Sequence, residues 1–471
     1  SGGNISNTGD VTGTGNYVGG VAGSITTGIH GIPGGTISNT GTITGTGVSV
    51  GGIVGNMSGG ILGASGGTIS NAGTVTGPGS TGGIVGQISG GTLGASGGTI
   101  SNEGTITGAN YTGGIIGQFS GGTLGSSGAV ISNTGAVFQD TGGTGAGYGG
   151  IIGHINSTNA LISADCTLQN SSDISGYNNV GGIVGSIMGI SASQVPFNDT
   201  AGAGYVGVSN TGNVISANDY AGGLVGMVQT TNLTIANYTN TADVSGAGNC
   251  VGGVIGLISR GTIGISGGII ANEGDVTGTG NNVGGIVGNL NLAVGVPGEI
   301  VSMASDSGFE NSGNVSGASY VGGIIGNIAA DTIPGGVTFG PNAGSVSNTG
   351  RVTGTGSNVG GIIGCNLSAN VTIGNASNTA DVEGNAFVGG IAGQMANGTL
   401  GVSGGNISNT GVVTGGNYVG GVIGAVSGTG TTIAAGSTLS NSGAISNTGA
   451  VAGGIAGSII DVSAAGVIFS N

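Results

Sequence analysis

Two histidines, three cysteines and 17 acidic residues are the side chains of this 471-residue chain that could carry chemistry. General acid–base catalysis and metal binding both need such groups to converge. His30 and His154 lie about four repeats of the chain apart, too far to cooperate. The acids are scattered, except that Asp243 and Asp275 fall at the same phase of consecutive repeats. Stacked about 4.8 Å apart, two carboxylates share a proton, hold a cation or form a solvated acidic patch, and the patch is the plainer reading. Serine is plentiful, yet the sequence sets no His and acid beside any of it, and no acid-lined groove for cleaving glycans can be assigned. The expectation is a protein that is not an enzyme and needs no cofactor or metal ion.

Cys166, Cys250 and Cys365 make an odd count, which outside a cell means a free thiol or a bond to another chain. They belong to the sixth, eighth and eleventh repeats. At about 4.8 Å per repeat the nearest two are roughly 10 Å apart along the stack, beyond the ~7 Å that a disulfide spans between Cα atoms. Intrachain bridges are therefore disfavoured, leaving intersubunit disulfides or buried inert thiols.

What positions these residues is a repeat. Fourteen copies of a Gly-Gly-aliphatic-aliphatic/Ala-Gly block run through the chain, with first glycines from Gly19 to Gly453 at a spacing clustered near 31. Each is preceded by a block of the form Ile-Ser-Asn-Thr-Gly, whose asparagines are Asn7, Asn39, Asn71, Asn102, Asn133, Asn170, Asn210, Asn240, Asn272, Asn311, Asn348, Asn378, Asn409 and Asn441. The interval from Asn to Gly-Gly is 11 or 12 residues in every copy but one, whereas the interval onward varies from 18 to 29. Long insertions fall near 186–209, 289–310 and 327–347. A fixed phase with insertions at one place marks a stacked array. The chain reads as one repeat domain, residues 1–471.

Val or Ile stands four residues after every one of these asparagines, and an apolar residue mostly stands two before. Alternation at period two with Gly, Ser and Thr between is a strand pattern, and this much Gly excludes helix. The predicted fold is all-β: a parallel β-solenoid of about fourteen coils of ~31 residues. The asparagines then face inward, where an unpaired amide costs about 1–3 kcal/mol. Stacking removes the cost if each amide bonds to the one a coil away, forming a structural ladder. Glycines facing the core let two sheets approach closely, and no phosphate-cradling loop is implied, since no helix and no Lys follows.

Two columns invite a binding role. Tyr17, Tyr111, Tyr220, Tyr320, Phe387 and Tyr418 stand two residues before Gly-Gly, where they serve as a glycan platform or cover a corner or an intersubunit contact. No two Tyr fall in adjacent copies, which argues against a continuous platform. Thr-x-Thr pairs at Thr42/Thr44, Thr74/Thr76 and Thr105/Thr107 make a flat face of three coils, too short to bind ice.

Composition narrows the class. Gly supplies 120 residues, yet with 6 Pro there is no collagen, and with 37% apolar residues there is no disorder. Arg260 and Arg351 are the only bases against 17 acids, so nucleic acid and anionic membranes are poor partners. No apolar stretch reaches the roughly 18 residues of a membrane helix, and aromatics are too few for the girdles of a membrane barrel. The repeat signal starts at Asn4 and persists to Gly457, so the expectation is a secreted protein with its signal peptide removed and with uncapped ends that stack head to tail. Sequons such as Asn56-Met-Ser and Asn232-Leu-Thr leave glycosylation open.

The Asn-x-Gly-x-Val-x-Gly run, as from Asn71 to Gly77, followed by Gly-Gly-Ile-Val-Gly, as from Gly82 to Gly86, resembles the GLUG repeat of microbial surface proteins along essentially the whole chain. That resemblance implies surface location and adhesion or scaffolding, with no catalytic residue to carry over. A chain made only of such repeats, nearly free of bases and with unpaired cysteines, is also similar to the subunits of protein sheaths around filamentous methanogenic archaea. The functional expectation is a self-assembling extracellular protein of a sheath, hoop, filament or surface layer, its main partner itself. The alternative is a cell-surface adhesin or passenger domain that binds glycans or other envelope proteins.

Overall fold

The computed structural model describes residues 3–94, 96–140, 144–194, 196–202, 204–291, 307–329, 336–340 and 346–460, together with the backbone of 301–303. The chain is an all-β parallel β-solenoid of about 13 turns of about 32 residues, and no helix occurs among the described residues.

One rung shows how the repeat folds. Thr68–Asn71 forms an Asn strand, Val75–Gly77 a Val strand, Ser80–Gly82 a Gly strand and Val85–Leu93 a long return strand. In the first two, residues at even spacing point inward: Ile69, Asn71 and Val75 are buried, while Ser70 and Thr76 are half-exposed. The Gly-Gly pair breaks this alternation. Ile84 and Val85 are consecutive and both wholly buried, so the chain there is covered on both faces. The return strand achieves this by lying against the Gly strand of the preceding rung. A Cβ on Gly86 would stand 2.6 Å from the Val50 nitrogen and 2.8 Å from its carbonyl oxygen. A coil is therefore a loop of four strands with its Gly strand folded inside.

The chain divides into two compact units, residues 1–217 with 221–234 and residues 218–220 with 235–471. In the first, Asn strands pair in parallel and without slip from Asn7 through Asn39, Asn71, Asn102, Asn133 and Asn170 to Asn210. In the second, the same register runs from Asn240 through Asn272, Asn311, Asn348, Asn378 and Asn409 to Asn441. Val strands keep the same step in each unit, as in Val11 to Ile43 to Val75 and Val244 to Val276 to Val315.

Insertions leave this register untouched. Within 186–209 the short strand Phe197–Asn198 pairs with Val206–Asn210, and Phe197 is wholly buried. The insertions at 289–310 and 327–347 lie partly outside the described residues. Within the latter, Val337–Phe339 pairs with Val371–Ile373.

Candidate functional site

The asparagine row is the most regular chemical feature of the fold. Each of the fourteen carboxamides donates one N–H to the carbonyl two residues on in its own rung, as Asn71 Nδ2 does to Gly73 at 2.7 Å and Asn378 Nδ2 to Ala380 at 2.7 Å. Within each unit the other N–H goes to the next asparagine. In the first unit Asn7 donates to Asn39, Asn39 to Asn71, and so on to Asn210, at 2.7–2.8 Å. In the second, Asn240 donates to Asn272 and the chain continues to Asn441 over the same distances. Both donors and the acceptor of an interior Asn are thus satisfied without water, and the row has a direction: N–H groups point up the stack, oxygens down.

The Gly-Gly block exists for this row. A Cβ on Gly83 would fall on the Gly114 carbonyl oxygen and stand 2.5 Å from the Asn102 Cγ, and Gly114 and Gly285 sit the same way against Asn133 and Asn311. The second glycine lets the backbone lie on the carboxamide, which closes the core over the ladder.

A second row lies on the outside. Asp243 Oδ1 accepts the Asp275 backbone N–H at 2.9 Å, and Asp275 Oδ1 accepts that of Asn314 at 2.9 Å. Asp10, Asp173 and Asp381 do the same for Thr42, Asn213 and Val412. Each carboxylate thus caps the turn of the rung above. Spacing alone had left a shared proton, a cation or a solvated patch for Asp243 and Asp275, and it missed the cap.

The histidines separate as expected, but one has an unexpected partner. His30 is exposed, its Nε2 2.9 Å from the Thr27 carbonyl oxygen. His154 is 5% exposed, its Nδ1 2.6 Å from the Ser186 Oγ, with the Tyr111 ring stacked on it at 4.5 Å. From the sequence, which sets no Ser with both a His and an acid beside it, this Ser–His contact was not anticipated. Both residues stand five places after the first glycine of their blocks, so the repeat phase places them in one column without marking its chemistry. Burial lowers the His154 pKa to about 4, with the Ser186 backbone opposing, and Ser186 is itself 1% exposed. Both side chains are enclosed within the fold.

The column of Tyr111, Asn179, Tyr220, Cys250, Asn282, Tyr320, Asn358, Phe387 and Tyr418 has φ between 41° and 64°, a left-handed corner that non-Gly residues adopt at a cost. Phe387 and Tyr418 are neighbours there, their rings stacked at 5.1 Å. The aromatic column therefore contains one contiguous pair. Nearby, the Oδ1 atoms of Asn289, Asn327 and Asn358 are buried and receive no hydrogen bond from the described residues.

All three cysteines are free and buried. Cys250 occupies the left-handed column with Asn282 Nδ2 3.6 Å from its Sγ, and Cys365 faces Gln394 Oε1 at 3.8 Å. Burial raises the Cys166 and Cys365 thiols to about 12 and the Cys250 thiol to about 11. Of the two arginines, Arg351 forms an exposed ion pair with Glu383 on the adjacent rung.

Comparison with family models, with curated proteins and with solved structures finds no match to this chain.

Proposed function

We propose that this chain is an extracellular structural protein that assembles with copies of itself into a sheath, hoop, filament or surface layer. The observation that carries the reading is the complementarity of rung faces. Within each unit the rungs present Asn N–H groups and backbone partners upward, and the matching acceptors downward, in one register. The top of any rung is therefore a template for the bottom of any other, in this copy or the next. Insertions that leave the register intact let the outside vary while the stacking face stays constant. The resemblance to GLUG repeats and to methanogen sheath subunits points the same way. Intersubunit disulfides at Cys166, Cys250 or Cys365 are a second lock, one that forms only where a rung opens enough to bare a thiol.

A rival reading, the glycan-binding adhesin, draws on the stacked Phe387 and Tyr418 rings, since such pairs also bind sugar faces. Negative-stain microscopy of the purified chain, at rising salt and with or without reductant, separates the two. Long regular polymers are the expected result, and shortening by reductant would bring the cysteines into the lock. Discrete rods at every salt concentration would sink the proposal and leave the adhesin.

A further inference from the structure

The chain carries many Asn-x-Ser/Thr sequons, and the fold sorts them. Asn56 and Asn366 are buried, at 7% and 0% exposure. Asn232, Asn375 and Asn397 spend their amide N–H on the carbonyl oxygens of Ile190, Gly340 and Leu367 at 2.7–2.9 Å. Others are exposed but run straight into ladder strands, as Asn370 does into Val371–Ile373. Asn156-Ser157-Thr158 differs. Asn156 is the last residue of the strand Ile152–Asn156, it is exposed, and a register shift between Ile155 and Asn156 loosens the ladder there. Its partner on the next rung is Gly189, which has no side chain to cover it. Ser157 and Thr158 then enter a turn closed by the Ala160 N–H on the Ser157 carbonyl at 3.1 Å, with Thr158 exposed.

We propose that the Asn156 carboxamide is the acceptor of an N-linked oligosaccharide. In the transfer, Asn156 Nδ2 forms a bond to C1 of a sugar carried on a polyprenyl phosphate or diphosphate. The C1–O bond breaks, its electron pair leaves with the phosphate, and one Nδ2 proton passes to a base of the transferase. A sequon is an acceptor only where the carboxamide and the hydroxyl two residues on are both presented at a surface loop. The inference rests on the secretion in the reading above, because a chain meets such a transferase only during export.

The test is made on folded protein with a purified single-subunit oligosaccharyltransferase and its polyprenyl-linked oligosaccharide, read by intact mass. One glycan mass is expected on the unaltered chain and on N232Q, and none on N156Q or on T158A, which leaves the asparagine in place. An unaltered chain that takes no sugar overturns the inference, as does a glycan that persists on N156Q. Assembly is scored separately on the unmodified protein. A chain that polymerises yet takes no sugar therefore sinks this inference alone, and one that takes sugar without polymerising sinks only the earlier reading.

Discussion

Asn102 sits in the interior of the ladder, accepting from Asn71 and donating to Gly104 and Asn133 at 2.7–2.8 Å. Asn102→Ala strands all three partners in a dry interior, where each unpaired group costs about 1–3 kcal/mol. We expect a loss of about 3 kcal/mol or more in denaturant unfolding. Asn102→Asp keeps the shape but aims a carboxylate at two acceptors, so it should cost at least as much. A change below about 0.5 kcal/mol for either would mean the ladder is incidental. His154 tests burial rather than bonding. Its folded pKa of about 4 lies below the ordinary value near 6.5, so the unfolded chain takes up a proton first as pH falls. The stabilisation is whole above pH 6.5 and drains away toward pH 4, by about 3 kcal/mol. His154→Gln, which repeats the Gln118 beneath it, should flatten the melting-temperature slope across that range relative to the unaltered chain. The ladder was legible in the sequence because one residue type recurs at one phase. The Ser186–His154 pair was not, because its column mixes Gln118, His154, Ser186 and Met227 and shows no chemical pattern.

At the scale of the element, the Asn and Val strands were legible from period-two alternation, and the Gly strand and return strand were not. Alternation assigns one inward face, whereas the Gly-Gly-Ile-Val segment is covered on both. Consecutive buried residues carry no phase. The path of the coil at this point is fixed by the backbone contacts of Gly86. The glycines are the exposed nerve of this arrangement. Gly83→Ala pushes first against the Gly114 carbonyl and the Asn102 carboxamide, and neither can move without opening the ladder. We expect it to destabilise by about 3 kcal/mol, the upper range for overpacking, or to prevent folding. Gly15→Ala, with nothing within 4 Å of its new Cβ, should stay within about 0.5 kcal/mol. Equal effects at the two positions would mean that backbone freedom, and not the close approach, selects glycine here. Hydrogen exchange on Gly83→Ala should show the loss concentrated on the adjacent rungs, since each rung contacts mainly its neighbours.

For the whole molecule, the period of the sequence was enough to give the architecture and nearly the number of turns, because stacking propagates one local solution. It was not enough to shape the insertions, whose contacts follow no repeat. The assembly proposed above would follow from the same propagation. In that assembly two rung faces would attract through short-range groups: backbone hydrogen bonds, the Asn row and apolar edge. Copies repel through net charge, −15 for this chain, with Arg351 already engaged by Glu383. The repulsion is long-ranged at low salt, where the screening length is about 30 Å at 0.01 M, and falls to about 8 Å at 0.15 M. The attraction is nearly indifferent to salt. The sedimentable fraction of purified chain should therefore rise with NaCl from about 10 to 500 mM and the polymers seen by microscopy should lengthen, the reverse of what ion-pair contacts between copies would give. Polymers that dissolve as salt rises would mean that charges hold the copies together, and the ladder face would lose its claim to be the interface.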